Sequence, residues 1–166
     1  MAIKPIRCLP DPILRKKAKR ISTIDKSILK LITDMKDTLS NATGLGLSAP
    51  QVGVSLRLCV LHMPEEELFA LVNPRVIKRI GEREVVEGCL SIPSYQGRIK
   101  RSAAVTVTGV DRYGKPMRIR ATGILAQALE HEIDHLDGIL YIDHLNSLDK
   151  LYRLDLGQSA AEIGAA

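Results

Sequence analysis

Residues 122–138 read TGILAQALEHEIDHLDG, and the spacing of apolar positions in this stretch decides how the rest of the chain must be arranged. Thr122 can cap a helix that runs to about Asp137 and closes at Gly138. Leu125, Leu129, Ile133 and Leu136 line one side of it, and Ile124, Ala128, His131 and His135 line the neighbouring side. Few positions are left for water, so the helix is expected to be buried and to carry two histidines into the interior. Histidines four apart project from one face, close enough to grip a single ion, and Glu132 between them points near its open position. A lone interior histidine is ordinarily satisfied by hydrogen bonds. Burying two of them beside a carboxylate is costly without a ligand in common, which favours a metal site.

Two ligands leave a catalytic tetrahedral site one protein ligand short. The extended motif of metzincin proteases would place a third histidine where this chain has Tyr141; His144 is out of register, and Glu162 lies in a tail expected to fray. Cys89 is another source, within Glu87-Gly88-Cys89-Leu90-Ser91 at the end of a strand and before Pro93. A single cysteine in such a place is usually a small buried hydrophobe, and Cys8 and Cys59 are read that way. A further segment, Gly44-Leu45-Gly46-Leu47-Ser48-Ala49-Pro50-Gln51, has two glycines that let backbone approach a ligand and an amide donor in Gln51. It is not a phosphate loop, because no Gly-Lys-Ser/Thr follows.

Around these segments the chain reads as one domain over residues 1–166, with a composition of 45% hydrophobic and 26% charged residues that suits a packed core. Ile28, Leu31, Ile32, Met35 and Leu39 predict an amphipathic helix over about 24–41. Strands are expected at Leu56 to His62, Leu68 to Val72 and Arg83 to Val86, with Pro64 and Pro74 as breakers. Ala103 to Val110 and Met117 to Ala121 form a hairpin about Asp111-Arg112-Tyr113-Gly114. From about Asn146 periodic signals fade and fraying is expected.

The formal charge of +5 includes a run of Arg15, Lys16, Lys17, Lys19 and Arg20, read as a solvated basic surface. With 3% aromatic residues and no Trp, base stacking is not expected. No apolar run approaches the ~20 residues of a membrane span. Pro5, Arg7, Pro10 and Asp11 interrupt any secretory core, so a cytoplasmic location is expected. Three scattered cysteines do not suggest a disulfide framework, and at least one should be free.

Taken together, the loop ending in Gln51, Glu87 to Ser91, and His131-Glu132-Ile133-Asp134-His135 resemble the motifs of the peptide deformylase family, in the family's order, within a likeness spanning about residues 5–145. The resemblance implies an α+β fold with small mixed or antiparallel β-sheets packed around the buried helix. It implies a hydrolase that removes the formyl group from the N-terminal formylmethionine of nascent polypeptides. Cys89, His131 and His135 would hold the metal, Glu132 would act as base, and the Gln51 amide and Leu90 N–H would receive the developing negative charge. Gly44, Leu45, Gly46, Glu87 and Gly88 are placed around the substrate, with Arg101 as ion-pair partner of Glu87. One Fe(2+) per chain is implied, with Zn(2+), Ni(2+) or Co(2+) able to occupy the site in purified material. Formylmethionyl peptides and the ribosome near its nascent-chain exit are the implied partners, with no membrane or DNA. Ser48 stands where the family commonly has Ala, and Glu130 where Gln is usual; the side chain of Glu130 is expected to point away from His131. From the residues alone, a zinc metallopeptidase using the same helix remains open, as does a ribosome-associated binding module with a structural metal site.

Overall fold

A computed structural model describes residues 2–154 of the chain. Helix α1, Lys26–Ser40, starts where the Asp25 carboxylate accepts the Ile28 N–H at 3.1 Å. Its buried stripe, Ile28, Leu31, Ile32, Met35 and Leu39, packs on Leu47, Leu58, Val60 and Val72. Those residues belong to a five-stranded antiparallel sheet, in the order β1 (Gly46–Ser48), β2 (Leu58–Leu61), β3 (Phe69–Ile80), β6 (Ala104–Val110) and β7 (Pro116–Thr122).

The structure differs from expectation at Pro74, which does not end β3. The register shifts between Val72 and Arg75, Asn73 adopts a φ of 51°, and its side-chain amide bonds both the N–H and the C=O of Ile21 at 2.8 Å. A bulge tied down in this way tolerates a residue that cannot donate to the ladder. The glycine-containing loop also resolves differently, since Gly46–Ser48 is a short strand at the edge of the sheet.

The second sheet has the order β4 (Arg83–Cys89), β5 (Ile92–Arg101) and β8 (Leu151–Arg153). Strand β8 gives Leu151–Arg153, within the stretch where periodic signals fade, a place at the edge of this sheet. A Cβ on Gly97 of β5 would stand 3.0 Å from Leu145 Cδ2 and 3.3 Å from the Lys150 carbonyl, so this glycine lets the returning chain close over the sheet. The rest of the predicted tail, 155–166, lies outside the described residues.

Helix α2, Gly123–Leu136, lies against the inner face of the larger sheet, with Ala126, Ala128, Leu129 and Ile133 in one cluster with Leu61, Leu71, Val105 and Val107. It is buried as expected except at its first turn, where Ile124 is 45% exposed. Gly138 closes it at a φ of 74°, and a Cβ there would lie 2.5 Å from the Arg15 carbonyl. Cys59 is buried, but Cys8 is exposed, because the N-terminal arm runs over the surface and pairs Leu9 N–H with the Ser91 carbonyl at 3.0 Å. All three cysteines are free. Among the described residues no helix is long and apolar enough to cross a membrane.

Candidate metal centre

The helical repeat sets His131 and His135 on one face of α2, opposite the point where β4 turns into β5. That turn carries a register shift between Gly88 and Cys89 and reverses through Leu90 and Ser91, which swings the Cys89 sulfur toward the helix. The two histidine Nε2 atoms are 3.2 Å apart, and Cys89 Sγ lies 3.2 Å from Nε2 of His135. All three donor atoms fall within 4.8 Å of one another, and all three residues are buried.

Glu87, two residues before Cys89 on β4, accepts a hydrogen bond from His131 Nδ1 at 2.7 Å, which leaves Nε2 to face the sulfur. Its carboxylate also takes a two-pronged contact from Arg101, with Nε at 3.0 Å, and a bond from the Gln127 amide at 3.3 Å. Burial raises the carboxyl pKa of Glu87, but His131 and Arg101 more than reverse this and hold it at about 2. Glu87 has no exposed surface, and its carboxylate is taken up by His131, Gln127 and Arg101, the ion-pair partner expected of it. Beyond it, Arg101 reaches Asp134 at 2.6 Å, and Asp134 accepts from His144 at 2.8 Å.

Glu132 lies on the other side of His131. Its Oε1 is 4.0 Å from His131 Nε2, and its Oε2 is buried with no hydrogen-bond partner among the described residues. Burial is the main reason that its pKa rises to about 7, despite the opposing pull of His131. Gly46 of β1 packs directly on it, since a Cβ there would lie 2.6 Å from Oε1. Burial, helped by its neighbour His131, lowers the pKa of His135 and keeps its imidazole neutral.

Gln51 follows β1 in a short 3-10 turn. Its Oε1 accepts both the N–H and the hydroxyl of Ser48 at 3.0 Å, which aims Nε2 at Ser91 Oγ, 3.1 Å away, and Cys89 Sγ, 3.7 Å away. The loop of Leu90 closes the same space, with its side chain 3.0 Å from where a Cβ of Gly44 would be. Leu45 is tied to β2 through its carbonyl, which accepts the His62 N–H at 2.8 Å, and Gly88 pairs with Gln96 across β4 and β5. Glu130 points away from the cluster as expected, to the Ser102 N–H at 2.8 Å and to Arg79 at 3.2 Å.

The residues fit a metal. Two imidazole nitrogens and a sulfur converge in a buried space, one imidazole is oriented by a carboxylate, and the partnerless oxygen of Glu132 borders the same space. Reading the sequence missed Ser91, whose N–H points at the Cys89 sulfur from 3.4 Å, and the Asp134 to His144 pair. Ser91 and Asp134 lie inside the quoted motifs, so position was the available signal; nothing local marks His144.

The profile of the polypeptide deformylase family matches residues 3–151. A peptide deformylase of Dehalococcoides mccartyi is 57% identical over 155 residues, covering 93% of each chain. A crystal structure of a peptide deformylase from Legionella pneumophila superposes with a TM-score of 0.86 at 47% identity, covering 90% of this chain and 89% of that one. A peptide deformylase from Synechococcus elongatus, solved in complex with actinonin, gives a TM-score of 0.84 at 36% identity over 89% of this chain and 88% of that one. The chain therefore belongs to the polypeptide deformylase family, as a metal-dependent hydrolase that removes the N-formyl group from nascent polypeptides.

Proposed function

We propose that Cys89, His131 and His135 hold the metal of this hydrolase, and that Glu132 carries the proton that the reaction moves. The observation behind this reading is the convergence of one sulfur and two Nε2 atoms within 4.8 Å beside an unpartnered carboxylate. When bound, the ion supplies Lewis acidity that makes water a nucleophile near neutral pH. Glu132, poised near 7, accepts a proton from the water that attacks the formyl carbon. It returns the proton to the amine as the C–N bond breaks, leaving formate and a free N-terminus. The Gln51 amide and the Leu90 N–H receive the charge that develops on the formyl oxygen, and loss of one such donor costs about 3 kcal/mol.

The peptide adds to the edge of the sheet at β1, with Gly44, Leu45 and Gly46 on one side and Gly88 on the other. Glycines on this path keep side chains out of the way of peptide backbone. We assign Fe(2+) as the working ion, since a thiolate and two imidazoles suit it, with Zn(2+), Ni(2+) or Co(2+) as substitutes. The enzyme works in the cytoplasm, on chains leaving the ribosome.

Formate release from a formyl-Met peptide, with anaerobic metal analysis of the same sample, tests this assignment. Cys89→Ala should lose both bound metal and activity. A Cys89→Ala protein that still releases formate with its metal in place would refute the ligand set and favour a metallopeptidase-like arrangement resting on the helix alone.

A further inference from the structure

The register of the larger sheet collects cations on its outer face. Arg75 of β3 pairs with Thr108 of β6, which pairs with Arg118 of β7; in the next row Lys78 pairs with Thr106, and Thr106 with Arg120. Their neighbours in the ladder, Val76, Val107 and Ile119, alternate to the opposite, inward face. Arg75, Lys78, Arg118 and Arg120 are all exposed, and among the described residues none of them has an ion-pair partner. Like charges gathered on one sheet face repel, and opposite charges across strands are the stabilising alternative. The smaller sheet takes that alternative: Arg98 and Lys150 pair with Glu84, and Lys100 pairs with Glu82.

The uncompensated face has a definite shape. Rows two residues apart are about 6.8 Å apart along a strand, and β3 and β7 are two strand spacings, about 9.5 Å, apart. Four cations so spread cannot all reach one small anion, but they match a polyanion with repeated charges. Between the cations Thr106 is buried and Thr108 half-buried, and Ile80 lies exposed at the rim; no Trp, Phe or Leu stands among them to enter a bilayer. The face also presents no aromatic ring on which a base could stack. Exposed arginine and lysine side chains are groups that contact phosphate oxygens.

We propose that this face, built from Arg75, Lys78, Arg118 and Arg120 around Thr106 and Thr108, docks the enzyme on the phosphate backbone of double-helical RNA. The contact is sequence-independent and is made on the helix surface. The proposal rests on the reading that the substrate is a nascent chain, which is found beside an RNA-rich surface.

The test measures binding of the metal-loaded enzyme to a fluorescently labelled RNA hairpin as a function of salt, beside formate release from a short formyl-Met peptide. Four phosphate contacts predict a plot of log K against log salt with a slope of roughly −3 to −4. Arg118→Gln with Arg120→Gln should reduce that slope by about 2, since each lost phosphate contact removes about 1. Formate release from the short peptide should stay at the wild-type rate, which also shows that the variant is folded. Lys16→Gln with Lys17→Gln should leave RNA binding unchanged. An unaltered slope in the Arg118/Arg120 variant, loss of binding in the Lys16/Lys17 variant, or binding to anionic lipid vesicles but not to the hairpin would each overturn the proposal. Failure to release formate from the short peptide would instead refute the catalytic assignment and leave the RNA result to be judged by its own slope.

Discussion

Glu87 and Glu132 are both glutamates, both buried, and each within reach of His131, yet the fold gives them opposite chemistry. Glu87 is bound by Arg101, His131 and Gln127, and its pKa falls to about 2. Glu132 has an oxygen with no partner among the described residues and a pKa near 7. A buried carboxylate stays charged when donors replace its water, and takes up a proton when nothing does. Pairs of carboxyls pushed apart in this way are how one site separates a fixed counter-charge from a proton carrier.

The contrast is sharpest if both are changed to glutamine. Glu132→Gln should lower formate release by about 10²- to 10⁴-fold, the usual contribution of a positioned acid-base group, while the protein keeps its metal. Glu87→Gln should act through the ion, with metal affinity down about 10- to 100-fold and activity restored by added metal. Metal titrations alongside kinetics check both. If extra metal rescues Glu132→Gln, or fails to rescue Glu87→Gln, the division of labour is wrong.

Gly46→Ala attacks the contrast from the side of the sheet. The new Cβ would sit 2.6 Å from Glu132 Oε1, so either the carboxylate or β1 must move. Overpacking of this kind typically costs about 1–3 kcal/mol of stability. Chemical denaturation should show that loss, and formate release should fall while bound metal stays near the wild-type level, because the crowded atom belongs to Glu132. Selective loss of metal would show that β1 bears on the ligands instead.

Acid-base linkage gives the next test, in metal-stripped protein. The folded-state pKa of Glu132 lies above its ordinary 4.5, so its contribution to stability is fully present below about pH 4.5 and is lost as the pH rises through about 7. Glu87 has the reverse sign: its contribution is present above about 4.5 and is lost as the pH falls through about 2. For Glu132 the change is on the order of 3 kcal/mol. Stability curves of wild type and Glu132→Gln should therefore diverge between pH 4.5 and 7, with the variant flatter. Parallel curves would mean that water solvates Glu132 after all.

The two carboxylates were not equally legible in the sequence. Glu132 was assigned from the spacing of His131 and His135, because helical geometry turns a spacing of four into proximity. Glu87 is placed near the site by its motif with Arg101 as its ion-pair partner, and that pair is present; its contact with His131 is not legible, since it arises only through the packing of β4 on α2. The helices follow the same division. Both α1 and α2 have a 3.6-residue apolar repeat, so they were found to within two residues. Strand β5 was missed: Pro93, Ser94 and Gly97 look like loop residues, and its burial comes from β4 on one edge and β8 on the other. His144 was discarded as out of register for a ligand, and it is; it contacts Asp134 instead.

The smallest effect should come from Ser48, where the family commonly has alanine. Its hydroxyl and its N–H both bond Gln51 Oε1, so Ser48→Ala removes one of two donors and leaves the acceptor satisfied. Such a loss is worth about 0.5–1.5 kcal/mol, against about 3 kcal/mol for removing the Gln51 amide itself. The remaining N–H still aims the amide, so activity should fall only a few-fold, with metal content and pH profile unchanged. That pattern would assign Gln51 to charge stabilisation alone, apart from both carboxylates. A Ser48→Ala enzyme that sheds its metal would show instead that the 3.7 Å contact from Gln51 Nε2 to Cys89 Sγ helps to hold the sulfur in place, and the site would have a second anchor besides Glu87.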